Sequence, residues 1–352
     1  MIVVSLLILL ILILRIIVGN LNASPTNTRK VESIFCGIAY LCIVMLAMFR
    51  GEDVGVDTLG YIKDYQGIYT MEYSDIIDEY KGYEAYYLIN KMFSMIGLPY
   101  FIWFGFIEFL LVWALSRYIN KFSKDRLYSI ILFITTGLFM FSLAGLKQTL
   151  GLAIMLHAFI DFTNNKYFRS ATLVVLAYFT HPVSLLSLFP FIIYALRNKN
   201  VLLPLVLVIS LCVCVGGLYT TSLMVSILGN DHYEMYLDVN DSYTKSTLYL
   251  YCLFLICTLP WIIKNFRKYN IPKFELSCVI LACVFQYLAS YSPSLFRLAY
   301  AFLPFLFVYL PNSFSISIRK TTESALMKYC VLAGAIIFCL YSNRNMVFTF
   351  MN

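Results

Sequence analysis

Apolar residues run along this chain in long, nearly unbroken blocks, and polar residues gather at a few places between them. About 20 apolar residues, wound as a helix, cross the hydrocarbon core of a bilayer. Twelve blocks near that length fall at about 1–18, 34–49, 98–117, 127–143, 145–163, 168–180, 182–196, 201–218, 246–263, 274–290, 296–311 and 327–341. Two pairs of blocks almost touch, and Gly145 and His181-Pro182 supply the breaks, because glycine and proline interrupt a helix. The pattern predicts an all-α polytopic membrane protein, one transmembrane domain over 1–352.

Two of the polar interruptions are long. The first, 50–97, has its own helical periodicity, with Tyr61, Tyr65, Ile68 and Tyr69 and then Tyr86, Ile89, Phe93 and Ile96 recurring three or four apart. Short amphipathic helices lying on the membrane surface are expected there. The second, about 219–245, carries Asp231, His232, Glu234, Asp238 and Asp241. Other connections are too short to hold a catalytic domain.

Composition agrees with this picture. The chain is 61% hydrophobic and 13% charged, against about 25% charged in a soluble domain. Basic residues give the orientation, because cytoplasmic loops are enriched in Lys and Arg. One set of alternate connections holds 17 basic residues and the other 8, with Arg15 inside the first block. The sparser set, which includes 50–97, is therefore expected outside, together with both termini. Acidic residues go the other way, 13 of 19 lying in the two long outer segments. Met1 to Val18 lacks a basic start and a small-residue cleavage site, and reads as a first span rather than a cleaved signal. The ten cysteines all fall within the apolar blocks, as small fillers rather than a disulfide framework. No spacing of His and Cys suggests a metal site, and no glycine-rich phosphate loop suggests a nucleotide. No cofactor and no nucleic acid are expected.

Candidate chemistry lies at the outer ends. In this topology the odd-numbered blocks begin outside, exposing the positive pole of the helix dipole and unpaired N–H groups. Lys147-Gln148 sits in the first turn of the fifth block, His181-Pro182 starts the seventh, and Arg297 lies early in the eleventh. A cation there opposes the dipole by roughly 0.3–1 kcal/mol. An anion between the helix ends reverses the balance, with Arg50, Lys147 and Arg297 as its cations. A diphosphate at the lipid surface fits. Asp57, His181 and Glu84 are the candidate bases, the first two ranked ahead of the third. Tyrosine faces from the first outer segment, Tyr61 and Tyr65 among them, suit sugar rings. Glu108, His157 and Asp161 read as structural, and Asp75 with Asp78 as a solvated acidic face.

Four blocks of sequence, in order, carry a family resemblance. They are Arg50…Gly55-Val56-Asp57-Thr58…Tyr61; Tyr83-Glu84…Leu88-Ile89-Asn90; Lys147-Gln148-Thr149-Leu150-Gly151 with Phe179-Thr180-His181-Pro182; and Ser294-Leu295-Phe296-Arg297-Leu298-Ala299-Tyr300. Together they resemble the EpsG/Wzy-type polysaccharide polymerases, over most of 34–311. The resemblance implies a bacterial inner-membrane glycosyltransferase that joins oligosaccharide repeats carried on undecaprenyl diphosphate, for O-antigen, capsule or exopolysaccharide. It also implies a fold like the membrane-embedded (GT-C-like) enzymes that use lipid phosphosugars. Substrate-binding roles for Gln148 and Tyr300 follow from the matched blocks, and a chain-length regulator is a possible partner beside membrane lipids. One position departs from the family, which usually has Arg where this chain has Lys147; lysine keeps the charge and loses the planar fork. An O-antigen ligase, another membrane glycosyltransferase or a flippase of lipid-linked glycan would share parts of this pattern.

Overall fold

A computed structural model describes residues 2–21, 24–228, 242–265, 273–292, 295–315 and 322–351. The acidic residues and His232 of the second long segment, Pro293-Ser294, and the basic residues Arg267, Lys268, Arg319 and Lys320 lie outside the described residues. All regular structure among the described residues is helical. The chain forms two compact units, one made of Met1–Phe122, Arg126–Leu185 and Asn343–Asn352, the other of Ser123–Asp125 and Leu186–Ser342.

The first unit holds ten α-helices: α1 (Ile2–Gly19), α2 (Pro25–Met48), α3 (Thr58–Gly67), α4 (Tyr73–Glu79), α5 (Glu84–Met95), α6 (Tyr100–Phe122), α7 (Arg126–Thr135), α8 (Leu138–Ala144), α9 (Leu146–Thr163) and α10 (Tyr167–Thr180). The long ones pack side by side, α6 antiparallel to α2 and parallel to α9, and α9 antiparallel to α10. At one end, Arg126 binds Glu32 at 2.6 Å, Lys121 donates to Thr163 Oγ1 at 2.8 Å, and the Arg15 guanidinium lies 5.7 Å from the Tyr128 ring. At the other end α2 finishes, α6 and α9 begin, and the short helices α3 to α5 fold over. The expected surface helices of 50–97 are these three, and they bury Ile62, Tyr65, Ile76, Tyr86 and Tyr87.

The second unit holds α11 (Phe189–Ala195), α12 (Leu202–Leu228), α13 (Ser242–Asn265), α14 (Lys273–Leu288), α15 (Phe296–Tyr300), α16 (Leu303–Ser315) and α17 (Thr322–Ser342). α14 is its hub, touching α11, α12, α13, α15 and α16. Its polar contacts join residues assigned to one side by the charge pattern: Lys273 donates to Asn200 at 3.1 Å, and Lys328 binds Asp125 at 2.6 Å.

α1, α2, α6 and α12 are long and apolar enough to cross a membrane, and α7 with α8 would make a fifth as one broken span. The breaks expected at Gly145 and His181 are present. Four blocks differ from unbroken spans; in the block at 201–218, α12 is kinked at Gly217, which takes φ +40°. α7 and α8 meet at a 55° bend, where Gly137 takes φ +94°, a conformation that costs other residues about 1–2 kcal/mol. Thr135 and Thr136 just before it turn their hydroxyls back onto Ile131 and Leu132 carbonyls. The block at 182–196 opens as a 3-10 segment, Pro182–Leu188, because the proline follows an extended His181. The block at 296–311 splits into α15 and α16.

Candidate functional site

The site is built at the end of the first unit where α2 finishes. Lys147 stands in the first turn of α9, and four tyrosine rings surround its ammonium. Its Nζ lies 4.5 Å from the centroid of Tyr87, 5.2 Å from Tyr83, 5.7 Å from Tyr61 and 5.8 Å from Tyr86. Ring faces carry negative potential, so four of them hold a desolvated cation that water would otherwise solvate. One direct bond completes the cage: Lys147 Nζ donates to the Tyr87 hydroxyl at 2.5 Å, and that hydroxyl donates to Asp64 Oδ2 at 2.8 Å. Burial first, and the bond to Asp64 second, push the Tyr87 hydroxyl above the ordinary tyrosine value. It therefore stays a phenol at neutral pH.

Local sequence explains how the cage closes. Tyr83, Tyr86 and Tyr87 are spaced three and four apart at the start of α5, so they share a face. Tyr80 stacks on Tyr87 at 3.6 Å and fixes the ring from behind. Gly82 takes φ +83° between Tyr80 and Tyr83, and a Cβ there would lie 2.9 Å from Pro182 Cγ. This tight approach brings Tyr83 edge-on to the His181 ring, 5.3 Å between centroids. From below, Gly151 on α9 lets the same corner in: a Cβ at Gly151 would overlap Ser184 Oγ and lie 3.4 Å from His181 Cβ. His181, 5% exposed, is thus held between α5 and α9.

Arg50 lies beneath the segment. Its Nη1 donates to Ala47 O at 2.9 Å and its Nη2 to Leu143 O at 2.8 Å, the last-turn carbonyls of α2 and α8. A cation belongs there, at two negative helix ends. Phe104 covers the guanidinium at 4.6 Å. Burial lowers its pKa to about 10, with Glu108 opposing that effect, so it remains charged at neutral pH. The chain's C-terminal tail pins this segment from outside. Gly51 N–H donates to Thr349 O at 2.8 Å, Met351 N–H donates to Phe49 O at 3.1 Å, and Thr349 Oγ1 contacts Asp53.

The remaining expected residues divide. Asp57 is exposed at the N-terminal end of α3 and, after Asp64, is the second carboxylate acting on Lys147. Glu84 starts α5, and its buried Oε2 has no hydrogen-bond partner among the described residues. Gln148 follows Lys147, half-buried. Tyr65 is 5% exposed and its hydroxyl donates to Leu98 O at 2.6 Å, which makes it a tether of the segment. Arg297 and Tyr300 belong to the second unit, on α15, where Tyr300 packs edge-on against Phe296. Asp64, Tyr83, Tyr86 and Tyr87 were not singled out as site residues from the sequence. The i, i+3, i+4 spacing of the tyrosines was a visible signal; for Asp64 there was none, because its partner is 23 residues away.

At the opposite end of the unit, two of the residues expected to be structural, His157 and Asp161, join one network; the third, Glu108, lies near Arg50 instead. Asp161, fully buried, binds Arg117 at 2.8 Å and Arg169 at 2.9 Å. Arg117 also donates to His157 Nδ1 at 2.6 Å, and Trp113 packs edge-on against that ring at 4.6 Å.

Membrane-length apolar helices, with a polar cap folded onto one end and a caged cation inside it, describe a membrane-embedded protein with a candidate site at a helix terminus. The chain belongs to the EpsG family, whose model matches residues 33–351. No curated protein and no solved structure matches it. Family membership makes it a membrane protein of polysaccharide biosynthesis.

Proposed function

We propose that this protein is a polysaccharide polymerase that joins lipid-diphosphate-linked oligosaccharide repeats. The observation that carries this is Lys147 in its tyrosine cage, at the start of α9, with Tyr83 in contact with both it and His181. A cation at a helix N-terminus suits a diphosphate leaving group. Tyrosines offer an apolar face and a hydroxyl to a sugar ring. The acceptor hydroxyl of one repeat attacks the anomeric carbon of the other. The bond from that carbon to the diphosphate oxygen breaks, undecaprenyl diphosphate leaves with the electron pair, and the hydroxyl proton passes to a base. Asp57 and His181 stand ahead of Glu84 for that base.

Lys147 then serves the leaving group directly. Arg50, committed to two helix ends, acts through its charge and by holding the segment in place. The proposal uses residues of the first unit; Arg297 and Tyr300 remain sequence-based expectations. Twelve spans, a GT-C-like arrangement, and placement in the bacterial inner membrane with both termini outside belong to the same proposal. Val3, Phe49 and Phe350 lining one apolar groove supports a common side for the two termini and the segment at Arg50.

The test is incubation of the purified protein with its lipid-linked repeat unit, with and without a chelator. A ladder of repeats on the carrier, unchanged by chelator, is expected. Transfer of finished glycan to a different acceptor would identify a ligase instead, and movement of the unit across a vesicle without bond formation would identify a flippase. Chelator-sensitive turnover restored by divalent metal would overturn the metal-free scheme.

A further inference from the structure

Asp64 is the cage's unassigned member. It lies on α3, its partner Tyr87 on α5 and Lys147 on α9, so three separate elements meet through two hydrogen bonds of 2.8 and 2.5 Å. The direction of both bonds is fixed by chemistry. An ammonium only donates, so the single hydrogen of the Tyr87 hydroxyl is left for Asp64. The order is therefore ammonium to phenol oxygen, and phenol hydrogen to carboxylate. Tyr87 is 2% exposed and sandwiched, with Tyr80 stacked at 3.6 Å and Tyr86 edge-on at 5.2 Å, so it has no freedom to swing. Without the Asp64 carboxylate the phenol hydrogen has no fixed direction, and the oxygen lone pair that receives Lys147 is no longer aimed. A flexible four-carbon stem then carries the charge with only diffuse ring contacts and the non-bonded Asp57 carboxylate to fix it.

We propose that Asp64 is a positioning residue which, through the Tyr87 hydroxyl, fixes where the Lys147 ammonium stands at the mouth of the site. Its bearing on turnover rests on the polymerase reading above; its hold on Lys147 does not. Asp64 is itself an anion beside an anionic substrate, so it does not strengthen ground-state binding. Its contribution is to the aim of a cation whose job is in the transition state.

The experiment uses the full-length protein in lipid nanodiscs, as wild type and as Asp64→Asn, Asp64→Glu and Tyr87→Phe. Tyr87→Phe keeps the ring stack and removes both bonds. The first readout is the rate of acetylation of Lys147 by N-hydroxysuccinimidyl acetate, followed by peptide mass spectrometry, with exposed Lys63 and Lys81 as internal references. Lys147 is expected to react slowly in wild type and Asp64→Glu, and severalfold faster relative to the references in Asp64→Asn and Tyr87→Phe. Unchanged Lys147 rates in both of these variants would overturn the proposal. The second readout is the split between kcat and KM for the lipid-linked repeat. A roughly ten- to hundredfold fall in kcat is expected for Asp64→Asn, with KM unchanged or lower. A rise in KM at constant kcat, or wild-type kinetics with faster labelling, would overturn the link to turnover. Wild-type protein that labels as expected but makes no polymer would sink the polymerase reading and leave the positioning role standing.

Discussion

Replacing Lys147 by Met tests the site at its centre. Methionine keeps an unbranched stem of similar length and removes only the charge. The bond to Tyr87 at 2.5 Å is charge-assisted, worth about 1.5–3 kcal/mol when broken. The ring contacts at 4.5 to 5.8 Å add about 0.5–1 kcal/mol for each well-placed pair. Against this, the variant no longer desolvates an ammonium, a relief on the order of several kcal/mol, and a thioether among aromatic rings regains about 0.3–1.5 kcal/mol. The net loss of stability is therefore about 2 kcal/mol or less, and the protein should still reach the membrane. Turnover should behave differently. Removing one preorganised charge from a developing anion costs about 10²–10³ in kcat. Polymer formation, normalised to folded protein by size-exclusion chromatography in detergent, should fall by that factor while the unfolding midpoint moves by a few degrees. Polymer yield above about a third of wild type would refute a role for Lys147 in the chemistry, since that is less than 1 kcal/mol of barrier. A collapse of expression with normal specific activity would make the cage a folding device only.

Four further substitutions separate structural from catalytic parts. Arg50→Lys replaces a rigid two-nitrogen fork by one nitrogen that cannot reproduce the separate bonds to the Ala47 and Leu143 carbonyls, so it should cost about 1–3 kcal/mol, read as a lower thermal midpoint; an unchanged midpoint would remove its anchoring role. Asp161→Asn leaves two arginines without a counter-ion. Because Arg117 and Arg169 are 26% and 61% exposed, the loss should be about 1–3 kcal/mol, below that of a fully buried pair, with activity per folded molecule unchanged. Gly82→Ala forces a side chain into φ +83° against Pro182, costing roughly 1–2 kcal/mol and shifting Tyr83, so kcat should fall. Gly60→Ala in α3, where a Cβ meets nothing within 4 Å, should be neutral or stabilising, and a matching loss of activity there would argue against the Gly82 turn as the cause.

The amphipathic segment between Arg50 and Met95 shows where sequence stops informing the site. Spacing alone gave helices in it and placed tyrosines on their faces, because a helix face is a local property. Which tyrosines would meet a cation was not local. Tyr65 and Tyr61 look alike along the chain, yet one hydroxyl is tied to the Leu98 carbonyl and the other ring lies over Lys147. Arg50 shows the same limit. Its charge was evident, but its two partners, Ala47 and Leu143, lie 3 and 93 residues away, and the second exists only once α2 and α8 meet.

Hydrophobic run length and glycine–proline punctuation thus determined an all-α membrane protein and its breaks at Gly145 and His181, while the four motif blocks carried the family resemblance. The helices and their breaks are set by transfer of side chains from water or by backbone freedom, which a linear sequence carries in full. Tertiary structure alone decided that Lys147 stands among four tyrosines, that the Tyr87 hydroxyl links it to Asp64, and that Arg50 joins two helix ends. Those contacts depend on close packing of elements far apart in sequence, and on two glycines, Gly82 and Gly151, whose missing side chains let the elements approach.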